Sequence, residues 1–583
     1  MLRFSTEIRL LLIRHFFSLA VACVVFSGVA ASQTVGGQDQ APPTDVQSST
    51  QASTQTTTGP SPSFDQVIDR LTEREHFFLA KMRHFHPMVE TYIQNLKGDQ
   101  DKAVPVSDQY FLGRLDMTKG TQDRSFMGQP GFGHRFVTTL TGLYGMKFLP
   151  LGFAQMVVLD DDFQKKFYKF TFVRREFLGA VRCLVIDVEP SDKKAKGRFV
   201  GRIWVEDQDY NLVRFNGTYS GAERYSYYLH FDSWRLNLRP GVWLPAYIYS
   251  EESDLLYRGG HKLHFKAQTR LWGYDLKQAG QNEEFSQIVV DSPQAVNDQS
   301  PTAQDATPVQ SERRWETEAE QNAVERLTKI GFLAPEGDVD KVLQAVVNNL
   351  IVTNNLNIEP EVSTRVLLTS PLESFTIGHV IVVSRGLLDV LPDEASLAMV
   401  LAHELAHIVL GHRLDTKFAF NDRMLFPDED TFEHLDFGRS SVDEEAADQK
   451  AMELLAKSPY KDKLGNAGLF LKALQQHAPE LKNLIRSHLG NSLATGKSTR
   501  MSALLNTAPR LQPERTDQIA ALPLGGRIKV DPWNDQIELV KTAPVAILSP
   551  SEKMPFEVTP FFPYLTRLTE TNTEKVTASG PAN

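Results

Sequence analysis

Apolar and polar positions change their rhythm several times along the chain. Near the start, Arg3, Arg9 and Arg14 lead into an apolar run ending at Val24-Val25-Phe26, and the small residues Gly28 to Ser32 follow. This order predicts a secretory signal peptide over residues 1–31, with cleavage near Ala31. An uncleaved single-helix anchor is the alternative, because the run sits near the ~17 residues that a bilayer span needs. Residues 32–63 are mostly Gln, Thr, Ser, Pro and Gly, with almost nothing to bury, and predict a flexible spacer. Residues 291–314 read as a second linker.

The segment 64–290 is predicted to open with one helical stretch, Phe64 to Leu96, and then to run almost entirely as strands. In Lys169 to Val188 and Arg198 to Phe215, β-branched and aromatic residues dominate, and Arg202 and Glu206 alternate with Ile203 and Val205. A half-buried antiparallel sheet fits. After the second linker the period becomes helical at Val339, Val342, Leu343, Val346, Val347 and Leu350. Two strands follow, at Arg365–Thr369 and Val380–Ser384. A long helix then begins near Pro392-Asp393 and carries Leu397, Val400, Leu401, Leu405 and Ile408. Residues 315–512 therefore read as a helix-rich α+β domain. Residues 513–583 read as a hairpin around Pro532-Trp533-Asn534, with a tail.

Length and charge narrow the picture. A chain of 583 residues exceeds one ordinary core at ~100–200 residues per domain, so a multidomain protein is expected. The formal net charge of −10 excludes nucleic acid as a main partner and leaves membrane contact peripheral, or through the N-terminal segment alone. Once the leader is removed, Cys183 is the sole cysteine; it lies in an apolar strand and reads as a small buried hydrophobe.

The chemistry concentrates on the long helix, at His403-Glu404-Leu405-Ala406-His407. Histidines at i and i+4 leave one face of a helix one turn apart and can ligate one zinc ion, while Glu404 is placed to act on its water. With 15 His in the chain, chance placement gives roughly 0.02 such motifs. A catalytic zinc takes a third protein ligand and keeps a position open. His412 stands five residues after His407, the wrong spacing for a third histidine ligand, and reads as a helix cap or cleft residue. Downstream, Glu444 and Asp448 are again i and i+4, so one can bind zinc while the other orients a ligating histidine; adjacent Glu445 shares the metal-facing side on geometry alone.

The blocks Ser374 to Leu388, Leu401 to His407 and Glu444 to Asp448 together resemble the gluzincin family of CAAX prenyl proteases, HtpX and the periplasmic BepA-like proteases. The resemblance covers about residues 320–511. It implies zinc ligation by His403, His407 and Glu444, Glu404 as general base, and Asp448 behind the ligands. It also implies that Phe375, Thr376, Ile377 and Gly378 form an edge strand that holds substrate by strand addition. Two features depart from the family: Glu373-Ser374-Phe375 stands where many relatives have Asn-Ala-Phe, and His488 lacks the usual following proline, with Arg500 further on. His488 and Arg500 are candidate cleft residues. The strand pattern of 201–215 resembles the LolA-like lipoprotein-carrier fold, in which a curved sheet wraps a helix. The expected architecture is therefore a β-rich LolA-like half-barrel domain plus a helix-rich α+β zincin-type metallopeptidase domain. The expected function is an exported, periplasmic zinc endopeptidase with one Zn2+ per chain, working in protein quality control on polypeptides such as envelope proteins or lipoproteins. The rival readings are a periplasmic lipoprotein or lipid carrier with a secondary metal domain, and a chaperone-like scaffold with structural zinc.

Overall fold

A computed structural model of the protein describes residues 63–97, 104–117 and 122–125, most of 159–220, 228–253, 263–274, 320–413, most of 436–518, 528–531, 536–539, and parts of 558–568. The expected leader, the spacer up to residue 62 and the second linker lie outside the described residues. Among those described, no helix is long and apolar enough to cross a membrane.

Helix α1 (Phe64–Met82) starts at a reciprocal cap. The Ser63 hydroxyl accepts from the Gln66 N–H, and the Gln66 side chain accepts from the Ser63 N–H. The helix stops well before Leu96, and residues 88–97 form strand β1 (Met88–Lys97) instead. Pro87 supplies no N–H and disfavours helix at His86. Val89, Tyr92, Ile93 and Leu96 mimic helical spacing, yet in β1 Val89 and Ile93 face one side and Tyr92 the other.

Among the described residues, ten strands, β1 included, build one antiparallel sheet. After β1 come β2 (Val104–Asp116), β3 (Gln122–Ser125), β4 (Tyr168–Leu178), β5 (Val181–Pro190), β6 (Phe199–Glu206), β7 (Leu212–Tyr219), β8 (Tyr228–Arg239), β9 (Val242–Ser253) and β10 (Leu263–Trp272). Their order is β3-β2-β1-β10-β9-β8-β7-β6-β5-β4, so β10 closes back beside β1.

Strand alternation gives this sheet two buried faces. Val89, Ile93, Ile186, Val188, Ile203, Phe215, Phe231 and Phe265 pack with Val67, Ile68, Leu71 and Phe78 of α1. Beneath the helix, Arg235 forms a bidentate pair with Glu75, both side chains 2% exposed. On the other face Tyr92, Tyr110, Cys183, Val185, Trp204, Trp234, Tyr247 and Tyr249 belong to a core that continues into Leu333, Leu372, Leu401 and Leu484. Cys183 is fully buried there, and burial pushes its thiol up to about 12.

The second half carries α2 (Asp338–Thr353), a three-stranded sheet, and then helices. Its strands β11 (Ser363–Leu367), β12 (Ser374–Ile377) and β13 (Val380–Ser384) lie in the order β11-β13-β12, with β11 parallel and β12 antiparallel to β13. Helices α3 (Arg385–Val390), α4 (Glu394–Val409), α5 (Ser441–Ala456), α6 (Leu464–His477), α7 (Lys482–Ile485) and α8 (Ser502–Thr507) follow. Strands β14 (Ile528–Asp531) and β15 (Gln536–Leu539) pair as a hairpin.

The segments on either side of 291–314 thus share one core, reinforced by polar ties. The Trp272 indole donates to the Gly331 carbonyl at 2.7 Å, and Arg114 donates to that of Ile330 at 3.3 Å. A shared core makes the halves one cooperative unit. Residues 315–512 expressed alone should therefore give no cooperative thermal transition, while the full chain melts as one; a cooperative melt of the fragment would show that the shared face is dispensable.

Candidate metal centre

Helix α4 is capped by Asp393, whose carboxylate accepts from the Ser396 N–H at 2.8 Å. The helix is apolar nearly all round, which a helix can be only when it is buried. Consequently His403, Glu404 and His407 are 2%, 2% and 1% exposed. Polar groups so placed need partners.

The two histidines turn toward each other, with Nε2 atoms 3.1 Å apart. Helix α5 crosses α4 and brings Glu444, whose carboxylate oxygens lie 3.3 Å from His403 Nε2 and 3.4 Å from His407 Nε2. These three residues offer ligand atoms that all lie within 4.8 Å of one another. Glu445, one residue on, is exposed. Behind the ligands, Asp448 Oδ1 sits 2.9 Å from His403 Nδ1, and its other oxygen accepts from the Met501 N–H at 2.7 Å. His407 Nδ1 meets His412 Nδ1 at 2.9 Å, and His412 Nε2 stands 3.7 Å from Asp443.

This donor set fits a divalent cation. With Nδ1–H given to Asp448, a neutral His403 presents a lone pair at Nε2 to Glu444, so two acceptors face one another. Glu444 Oε2 is moreover buried and makes no hydrogen bond of proper geometry, the donor facing it being Arg500 Nε at 3.1 Å. Burial and Arg500 push the His403 pKa down, yet Asp448 and Glu444 outweigh them and raise it. That negative field favours any cation at Nε2. Burial lowers the pKa of His407, which keeps its ring neutral and able to ligate.

Glu404 points to the other side of the cluster. Its carboxylate accepts from the Ser374 hydroxyl at 2.7 Å, the Thr376 hydroxyl at 2.7 Å and Arg500 Nη1 at 3.1 Å. Burial would raise its pKa, but Arg500, His403, His407 and Ser374 reverse this and hold it below the ordinary carboxylate range. Arg500 Nε also lies 3.1 Å from Glu444 Oε2, so one guanidinium faces both acids.

Ser374 and Thr376 belong to β12, which pairs only with β13 among the described strands. It is an edge strand, but a covered one: Ser374 to Ile377 are all buried. Phe375 stacks on Phe437, with ring centroids 4.7 Å apart, and Arg439 donates to the Thr376 carbonyl at 3.2 Å. Ile377 and Gly378 line a cavity of about 680 Å³, with Glu320, His379 and His412 among its walls. Gly378 turns the chain with φ +55, and a Cβ there would run into the Glu320 carboxylate. His488 lies apart from the ligands. Its ring stacks on Tyr110 of the large sheet at 5.1 Å.

Residues 338–425 match the family described as Peptidase_M48, Peptidase family M48. The match supports a zinc metallopeptidase. It spans His403, Glu404 and His407 and ends before Glu444. No curated protein matches the chain. Among solved structures, a DUF1329 family protein from Desulfovibrio piger is similar at 10% identity and TM-score 0.21, over 38% of this chain and 98% of that one. The Pseudomonas aeruginosa MucA/MucB complex is similar at 10% identity and TM-score 0.11, over 35% of this chain and 93% of that one.

Sequence reasoning passed over Ser374 as a partner of Glu404, although it and Thr376 are two apart on a strand and so share a face. Arg439 had no comparable signal, since no local spacing ties it to β12.

Metal content checks the ligand set. Glu444→Ala should strip zinc at submicromolar free metal, and Glu445→Ala should retain it. Asp448→Ala should weaken affinity by about 10–100-fold through loss of ring orientation. Zinc loss from Glu445→Ala with retention in Glu444→Ala would reverse the assignment.

Proposed function

We propose that the protein is an exported zinc-dependent endopeptidase that cleaves unfolded or misassembled envelope proteins. The observation that carries the peptidase reading is the division of labour around α4. Three side chains, His403, His407 and Glu444, converge on one point. Glu404, between the two histidines in sequence, is held by Ser374, Thr376 and Arg500 and takes no part in that ligand set. A structural zinc site is closed by four protein ligands and needs no base, so this arrangement favours catalysis over the scaffold reading.

His403, His407 and Glu444 would hold a zinc ion, which when bound would supply a Lewis acid for the scissile carbonyl and a lowered pKa for an attacking water. Glu404, kept ionised by Arg500, accepts a proton from that water and delivers it to the departing amine. Asp448 fixes the tautomer of His403. Arg500 offsets the negative charge of Glu404 and Glu444. Substrate enters as an extended segment along β12; because Phe437 and Arg439 cover that strand, it engages as these residues give way.

The envelope assignment rests on the basic, apolar and small-residue order of positions 1–32. Extended-strand recognition favours chains that are not folded, which is the basis for the substrate class. The carrier reading has less support, since both faces of the large sheet are packed with buried side chains.

Glu404→Gln tests the mechanism. The variant should keep zinc and its melting behaviour while kcat on an unfolded protein substrate falls by roughly 10²–10⁴-fold. Retention of more than a tenth of wild-type turnover would remove Glu404 from the role of base.

A further inference from the structure

The large sheet reaches the candidate metal centre through two carboxylates that lie outside its possible ligand set. Glu90 and Asp108 lie on β1 and β2, on the face turned toward the helical half, and are 1% and 7% exposed. Each holds a different segment of that half.

Glu90 takes the segment leading into β12. Its Oε1 accepts from the Ser370 N–H at 2.6 Å and the Tyr110 hydroxyl at 2.8 Å; its Oε2 accepts from the Ser370 hydroxyl at 2.9 Å and from Arg270. Arg270 in turn donates to the Leu368 carbonyl at 2.7 Å. Gly386 packs so closely on the Ser370 carbonyl that a Cβ would collide with it. Four residues beyond Ser370 stands Ser374, the donor to Glu404.

Asp108 takes the other segment. Its carboxylate accepts from the backbone N–H groups of Asn483 at 3.0 Å and Leu484 at 2.8 Å, and the Asn483 amide returns a bond to its carbonyl at 2.9 Å. The Leu484 carbonyl receives the Leu372 N–H at 2.7 Å. Next along the chain, Ser487, His488 and Leu489 all donate to Glu373 Oε2 at 2.6–2.9 Å, locking the two segments together. The same loop ends at Asn491, whose carbonyl receives Arg500, which like Ser374 and Thr376 donates to Glu404. Tyr110, bonded to Glu90, stacks on His488 in the same place.

We propose that Glu90 and Asp108 are positioning residues for peptide hydrolysis, through which the β-sheet sets Ser374 and Arg500 on Glu404. This rests on the reading of Glu404 as base. Reacting groups displaced by about 1 Å lose on the order of 10²-fold in rate, so a loosened clamp shows in turnover before it shows in metal binding.

The test compares the full-length chain carrying Asp108→Asn with Glu75→Gln. Both lesions weaken a buried acid packed against the same sheet, but Glu75 belongs to α1 and pairs with Arg235 on the opposite face, touching neither segment. At a temperature where both variants are folded and zinc-loaded, Asp108→Asn should lower kcat about tenfold on an unfolded protein substrate with KM within twofold. Glu75→Gln should leave both constants alone. Hydrogen exchange is the readout that needs no activity: amides of 370–374 and 484–491 should exchange at least tenfold faster in Asp108→Asn and not in Glu75→Gln. Equal effects of the two variants on kcat, or unchanged exchange in those segments, would overturn the proposal. If Asp108→Asn does not fold, Tyr110→Leu, which removes the ring under His488, should show the same split between kcat and KM and the same local exchange. Absence of any turnover in wild type would instead count against the peptidase reading, and the exchange data would still decide whether the sheet holds the two segments.

Discussion

Three ionisable side chains sit in the middle of an apolar, buried helix, and this constraint organises the molecule. An unpaired charge in such an interior costs several kcal/mol, so His403, Glu404 and His407 can be there only if other segments deliver their partners. Asp448 and Glu444 come from α5, Ser374 and Thr376 from β12, and Arg500 from the segment before α8. Each supplier must itself be held. The helical half therefore cannot be a loose bundle around a motif; it is a set of elements fixed by what the motif requires.

The large sheet enters the account for the same reason. Its outer face is closed by α1 and its inner face carries charges as well as aromatics, among them Glu90, Asp108 and Arg270. Those charges are satisfied in large part by backbone and side chains of the helical half, so separation of the halves would leave them short of partners as well as expose the shared apolar core. A half-barrel that carries lipid would have no use for such groups on a buried face.

How much of this could be read from the chain differs by element. The helix carrying His403 to His407 was plain, because its start is set by Asp393 and its period is unbroken. The pairing of Glu444 and Asp448 on one face was likewise open to inspection, since i and i+4 spacing on a helix is a geometric fact; the choice against Glu445 came from resemblance. The end of α1 was misread because Val89, Tyr92, Ile93 and Leu96 suit a helix as well as they suit a strand, and Pro87 was the better guide. Contacts such as Glu90 with Ser370, or Arg500 with Glu404, join residues far apart in the chain, and no local period encodes them. The covering of β12 by Phe437 and Arg439 was illegible for the same reason.

The central claim is that His403, His407 and Glu444 hold one zinc ion with a further position open to water. X-ray absorption at the zinc edge of the purified full-length protein addresses it directly. The account predicts one zinc per chain, with two imidazole nitrogens at about 2.0–2.1 Å, carboxylate and water oxygens at about 2.0–2.2 Å, and outer-shell scattering from two rings. Less than stoichiometric zinc after equilibration with the metal, a sulfur shell near ~2.3 Å, or scattering from a single imidazole would contradict it.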